Sequence, residues 1–315
     1  VTPPGTALFA GDVSLDTTVV IDHVPDPDEK VHSSALVEDV GGVVTNAAIA
    51  CRLAGVPATL VATLGDDLAG QICRARLHEH GIDPNVATRQ GITSRALIML
   101  DAHGEKRLVL AAGVSLAPDE RTCLDVDLVT TSWLHTAAYD RAATIALVDR
   151  CRAAAIPWSL DLEPATLGDG LAPLRRCLDG AAAVFVNARA AALLGPDPAG
   201  TLLAAGVRQV ICTLGADGAR LHTTAEEVLV AAPTTAEPVV DTTGAGDCLA
   251  GTYIAELCSG RVPADALRRA VTAASMSCRR LGGPASYPRR DDVQNALAAT
   301  EHTAVGTAPS AESER

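Results

Sequence analysis

At 315 residues the chain can bury one large core, or one core plus a small appendage, and a net charge of −13 with only 2% aromatics offers nucleic acid neither a cationic face nor a stacking platform. The two lysines, Lys30 and Lys106, stand outside any GxxxxGK[ST] pattern, so a Walker-type ATPase is excluded; nine cysteines without a CxxC pair and eight histidines without HExxH spacing read as core and surface residues in a reducing compartment. No long apolar run and no basic leader with an apolar segment occurs, so the expectation is a cytoplasmic protein that neither spans nor binds a membrane.

The run Ala7 to Val13 reads as a buried strand, and the β-branched run from Asp16 to Ile21 as a second extended piece. A Pro- and Asp-rich loop, 24–29, precedes another extended segment around Ser34 to Val37. Gly41-Gly42-Val43-Val44-Thr45-Asn46 leads into a small-residue helix ending at Gly55, and 57–63 is a strand. Gly65-Asp66-Asp67 supplies a turn and an N-cap for a helix to about His80, broken by Gly81-Ile82-Asp83. Segments 94–100 and 106–110, joined by 101–104, form a hairpin.

From Ser132 the pattern alternates: a strand near Trp133, helix 140–154, strand 157–161, helix 171–178, strand 183–186, helices to Ala205, strand 208–213 and a hairpin over 219–231. Such alternation implies right-handed crossovers and a parallel sheet covered by helices on both faces, with ligands at the carboxyl ends of its strands. An extended Pro238-Val239-Val240 then precedes Asp241-Thr242-Thr243-Gly244-Ala245-Gly246-Asp247 and an apolar stripe, Leu249, Ala250, Tyr253, Ile254, Leu257 and Cys258, that ends at Ser259-Gly260. Glycines at a helix N-terminus let phosphate oxygens approach unpaired N–H groups, and a first-turn carboxylate at Asp247 can take a proton from a hydroxyl held beside them. Helices over about 263–282 and 291–299 complete a domain of residues 1–300, and 301–315 is expected to be a flexible tail.

Four segments in order, the 11–16 strand end, the di-glycine segment at 41–46, the turn at 213–218 and the DTTGAGD run, resemble the ribokinase-like (pfkB-type) carbohydrate kinases. The resemblance covers nearly the whole chain. It implies a three-layer α/β sandwich with a central, mostly parallel sheet and a small β lid made from about 13–37 and 94–111. It also implies that Asp247 is the catalytic base, that Gly244, Ala245 and Gly246 form an anion hole, and that Asp16, Gly42 and Asn46 hold the sugar. Asn187 and the turn containing Thr213, Gly215 and Gly218 would receive the nucleotide; Asp241, Thr243, Arg280, Gly282 and Ser286 would surround a monovalent cation such as K+, as in many members.

The chain departs from the family where Val43 replaces the lysine of ribokinases proper, where Ala190 replaces the acid of the Asn-x-x-Glu motif, and where 135–139 lacks the sugar-binding glutamate. The expected activity is ATP- and Mg2+-dependent phosphorylation of a hydroxymethyl group on a small sugar. The alternatives are a nucleoside kinase of the same fold, with the 43–44 valines against a base, and a catalytically silent sugar-binding regulator. By the same resemblance two lids are expected to pack across a twofold axis in a homodimer, with Leu97, Met99, Leu108 and Leu110 as contacts.

Overall fold

The computed structural model describes residues 5–102, 106–233 and 237–305. The first half contains β1 (Thr6–Ala10), β2 (Ser14–Val20), β3 (Ala35–Gly41), α1 (Val43–Leu53), β4 (Ala58–Gly65), α2 (Leu68–Glu79), β5 (Asp83–Arg89), β6 (Ser94–Leu100), β7 (Lys106–Ala111) and α3 (Glu120–Leu124). The second contains β8 (Thr131–Thr136), α4 (Arg141–Ala153), β9 (Trp158–Leu162), α5 (Arg175–Leu178), β10 (Ala183–Val186), α6 (Ala188–Leu193) and α7 (Pro198–Ala204). It closes with β11 (Val210–Thr213), β12 (Ala219–His222), β13 (Glu227–Val230), α8 (Ala245–Cys258), α9 (Pro263–Ser277) and α10 (Arg290–Val305).

Nine strands form the central sheet in the order β13-β12-β11-β10-β9-β8-β1-β4-β5. The seven from β11 to β5 are parallel, and the β12–β13 hairpin adds an antiparallel edge. Alternation along β1 shows how the layers arise. Ala7 and Phe9 enter a core with residues of α1, α8 and α9, while Leu8 and Ala10 enter a second core with residues of α4, α5 and α7. This is the expected sandwich. All nine cysteines are free thiols, seven of them buried. Among the described residues no helix is long and apolar enough to cross a membrane.

Several elements differ from the sequence expectation. β5 was not expected; it is the sheet's edge strand, where Pro84, lacking an N–H, is tolerated. Segment 238–240 is not a strand, because the N–H groups of Val240 and Asp241 both bond to Cys278 O, at 2.8 and 3.2 Å. α9 stops at Ser277, five residues early, and α10 runs to Val305, into the stretch expected to be tail, of which 306–315 lie outside the described residues. α8 is buried from Cys248 to Glu256 and not only along a stripe, since α1 and α9 pack on either side of it. The 101–104 turn lies partly outside the described residues.

The lid is a separate four-stranded sheet, order β3-β2-β6-β7, so its first arm runs to Gly41 and not to 37. Pairing of Asp16 with Ala96 and Asp39, and of Ile98 with Leu108, fixes its two faces. Asp16, Thr18, Asp39, Ala96, Ile98, Leu108 and Leu110 share the underside, whereas Leu97 and Met99 lie on the outer face. The four expected dimer contacts therefore split two and two between opposite faces.

Four stalks join lid to sheet, and two residues tie them into a neck. Asp12 accepts the N–H groups of Val43 (2.9 Å) and Val44 (3.0 Å), joining the chain after β1 to the start of α1. Ser115 Oγ accepts the Ser94 N–H at 2.7 Å and donates to Val13 O at 2.7 Å, joining both ends of the β6–β7 hairpin to the same point.

Candidate active site

Beneath the lid, the carboxyl ends of β1, β9, β10 and β11 meet the N-termini of α1 and α8. The two helix starts need glycine for different reasons. Gly42 caps α1 at φ 110°, and a Cβ there would lie 2.6 Å from Asp12 O. Gly244 caps α8 at φ 74°, with the Tyr287 hydroxyl against it donating to its carbonyl at 2.7 Å.

The first helical bond of α8 runs from Cys248 N to Gly244 O, and the Ala245 N–H is already bonded to Thr242 O at 3.3 Å. That leaves the first-turn N–H groups of Gly246 and Asp247 for an anion, and nothing lies within 4 Å of where a Gly246 Cβ would be. Asp247 accepts a 2.8 Å bond from Asn46 Nδ2 on α1. Burial raises its carboxyl to about 7 against that hydrogen bond, and the charges of Glu163 and Asp12 push the same way. Asn46 Oδ1 is buried with no hydrogen-bond partner, an unused acceptor on the same carboxamide that holds Asp247.

A small pocket of about 60 Å³ is lined by Val43, Asp161, Glu163, Phe185, Asn187, Thr213, Gly246 and Asp247. A second, between lid and sheet, is lined by Asp16, Thr18, Asp39, Ile98, Thr243, Gly283 and Pro284. Asp16 accepts the Ser14 hydroxyl at 2.5 Å, and burial raises its carboxyl to about 6. Asp16 thus lines the pocket under the lid together with Thr243 of the loop that leads into α8, and Asp247 lines the pocket at the start of α8.

On the nucleotide side the picture is mixed. Asn187 caps α6, its Oδ1 accepting the Ala190 N–H at 2.9 Å, and Thr213 ends β11 beside it. Space around Gly215 is open, whereas Gly218 abuts Val230 O, so its small size serves the β12–β13 hairpin. Asp241 is buried and accepts from Thr243 N (2.8 Å) and Gly282 N (3.0 Å), which brings the 241–243 and 280–286 loops together. The Thr243 hydroxyl is buried and unpartnered, Ser286 Oγ donates to Gly283 O, and the Arg280 side chain is exposed.

Three acids were missed in the sequence. Asp12 caps α1 with a carboxyl that burial lifts to about 7. Asp161 lies near the end of β9 and Glu163 just beyond it; burial, then the Asp247 charge, holds Asp161 well above the usual carboxylate range, and Glu163 accepts the Tyr139 hydroxyl. Their position at the carboxyl end of a predicted strand was the available signal.

The sequence profile of the pfkB family carbohydrate kinases matches residues 12–290. Mouse ribokinase is 26% identical over 92% of this chain and 94% of its own. The ATP-dependent ribose-1-phosphate kinase of Halopiger xanaduensis is 30% identical over 79% and 83%. The ribokinase of Cryptococcus neoformans var. grubii, solved in complex with ADP, superposes with a TM-score of 0.76 at 25% identity, covering 94% of this chain and 100% of that one. The glycine-led helix start over a paired carboxylate, the separate four-stranded lid and these likenesses agree: the chain belongs to the pfkB family of ribokinase-like carbohydrate kinases.

Proposed function

We propose that this sugar kinase uses ATP and Mg2+ to phosphorylate a hydroxymethyl group of a small neutral sugar. The observation that carries the reading is Asp247, held by Asn46 beside the open first-turn N–H groups of α8, at the end of a loop whose Thr243 lines the Asp16 pocket. Asp247 removes the hydroxyl proton as the oxygen attacks the γ-phosphoryl, and the N–H groups of Gly246 and Asp247 stabilise charge on the transferring group. Asp16 and Asn46 Oδ1 are acceptors that suit a ligand rich in hydroxyl donors. Asp16 and Asp39 on the lid underside would repel an acceptor that already carries a phosphate.

Asn187, Thr213 and the open Gly215 turn receive the nucleotide. Among the described residues no three His, Cys, Asp or Glu side chains are arranged to hold a metal. Mg2+ would suit the hard oxygens here as the nucleotide's own ion; Asp161 and Glu163 in the pocket wall are the residues that would help hold it, and when bound it would neutralise phosphate charge. K+ fits the 241–243 and 280–286 loops through carbonyls and the unpartnered Thr243 hydroxyl, since both Asp241 oxygens already accept backbone N–H groups.

The test is ADP release from MgATP with a panel of pentoses, ketohexoses, sugar phosphates and nucleosides. Turnover with a neutral sugar is expected. A preference for nucleosides, which Val43 in the pocket wall would explain, replaces the sugar reading, and binding without turnover of any acceptor leaves a silent regulator.

A further inference from the structure

The pocket between lid and sheet has two charged side chains among its described lining residues, and both are acids, Asp16 and Asp39. They are direct partners across the antiparallel pair β2–β3, which sets them side by side on one face of the lid. Like charges so placed destabilise a sheet. Burial, and after it the Asp39 charge, lifts the Asp16 carboxyl to about 6 against the Ser14 hydrogen bond. An unfavourable pair in a pocket wall points to a ligand that uses both acids.

Asp39 is fixed from outside the lid. Its Oδ1 accepts the Val40 N–H at 2.8 Å, and His80, the C-cap of α2, donates from Nε2 to Oδ2 at 3.2 Å. Ser14 takes one of roughly four acceptor positions on Asp16, and Val40 and His80 take part of those on Asp39, so both acids keep capacity for hydroxyl donors. Two more groups stand by them. The Thr243 hydroxyl, in the same pocket wall, is buried without a partner. A Cβ on Gly283, another wall residue, would stand 3.9 Å from Nδ2 of Asn46, a residue 5% exposed whose Oδ1 is unpaired. The same carboxamide bonds Asp247 at 2.8 Å, which sets this pocket beside the candidate base.

We propose that Asp39 is a specificity-determining residue of this kinase: with Asp16 it binds hydroxyls of an uncharged polyhydroxy acceptor and turns away acceptors that carry a phosphate or a carboxylate, and His80 is the positioning residue that holds it. The inference rests on the kinase reading above and narrows its acceptor. A neutral sugar satisfies both acids with hydroxyl donors, whereas an anion brought under the lid meets two carboxylates and no lining cation among the described residues, in a site from which water is excluded.

Four variants test it: Asp39→Asn, His80→Ala, His80→Gln and, as a control from the outer face of the same strand, Glu38→Gln. The probes are the neutral sugar found by the panel, D-gluconate and fructose 1-phosphate, each anion having a free hydroxymethyl group. D39N is expected to raise KM for the neutral sugar about tenfold with kcat within about threefold, and to raise kcat/KM for the two anions relative to the neutral sugar by at least ~10-fold. H80A should raise the neutral-sugar KM by a few-fold and keep the discrimination against anions, H80Q should recover part of that loss through its N–H donor, and E38Q should match wild type. Calorimetry with the sugars alone separates this from the parent reading, since D39N should narrow the gap in affinity between neutral sugar and gluconate whether or not anything is turned over. If D39N lowers kcat/KM equally for neutral and anionic acceptors, or if E38Q shifts selectivity as D39N does, the assignment is overturned while the kinase reading stands. If no acceptor is phosphorylated yet D39N still narrows the affinity gap, the kinase reading fails and Asp39 keeps its role.

Discussion

Burial lifts the carboxyl of Asp247 to about 7, and the ordinary carboxylate value is 3.8, so between those limits the folded chain holds a proton that the unfolded chain has released. Stability contributed by this site therefore falls as pH rises through the window, and the same holds for Asp12 and Asp16. Asp247→Asn is expected to lower kcat by at least ~10²-fold while raising stability above neutral pH by on the order of 1 kcal/mol. Steady-state rates and melting curves at pH 5 and pH 8 check both halves; near wild-type turnover would remove Asp247 from the role of base. Asp16→Ala should impair sugar use with nucleotide affinity unchanged, because Asp16 lies on the lid and not near the Thr213 turn. Titration with a nonhydrolysable ATP analogue measures that, and a matching loss of nucleotide affinity would count against it. Asp247 stood out from local pattern alone, a carboxylate in the first turn of a helix opened by glycines, whereas Asn46 and Asp16 were singled out by the family resemblance. Asp12, Asp161 and Glu163 were not, since what makes them important is which carboxylates lie across the sheet ends from them.

At the scale of elements, the parallel strands β8 to β11 were readable because each is an apolar run flanked by a helix with its own cap, as Asp140 accepting the Ala143 N–H at 3.0 Å shows for α4. β5 failed the same test: Asp83-Pro84-Asn85 has no strand pattern of its own, and its conformation is set by pairing with β4. The 238–240 run failed in the opposite sense, with β-branched residues but no strand left to pair with. Lid faces could not be read either, because period two assigns each strand two faces but only the cross-strand register says which one looks down.

The whole molecule leaves apolar surface on the lid, with Leu97 42%, Val109 56% and Leu36 63% exposed on its outer face and Leu108 53% exposed below. A second copy of the chain packed on a lid would cover part of this, so a dimer is expected by light scattering at micromolar concentration; a single monomer mass, unchanged by acceptor, would defeat it. The neck formed by Asp12 and Ser115 has a further consequence. β1 pairs directly with β4 and β8, and no lid strand takes part in the central sheet, so the lid amounts to two insertions, between β1 and α1 and between β5 and α3, in an otherwise continuous α/β body. Excision of the β6–β7 hairpin with a short glycine bridge should then leave a folded protein with unchanged far-UV dichroism. What it should lose is the choice of nucleophile: phosphoryl groups would pass to water, and ADP would form without a matching amount of sugar phosphate.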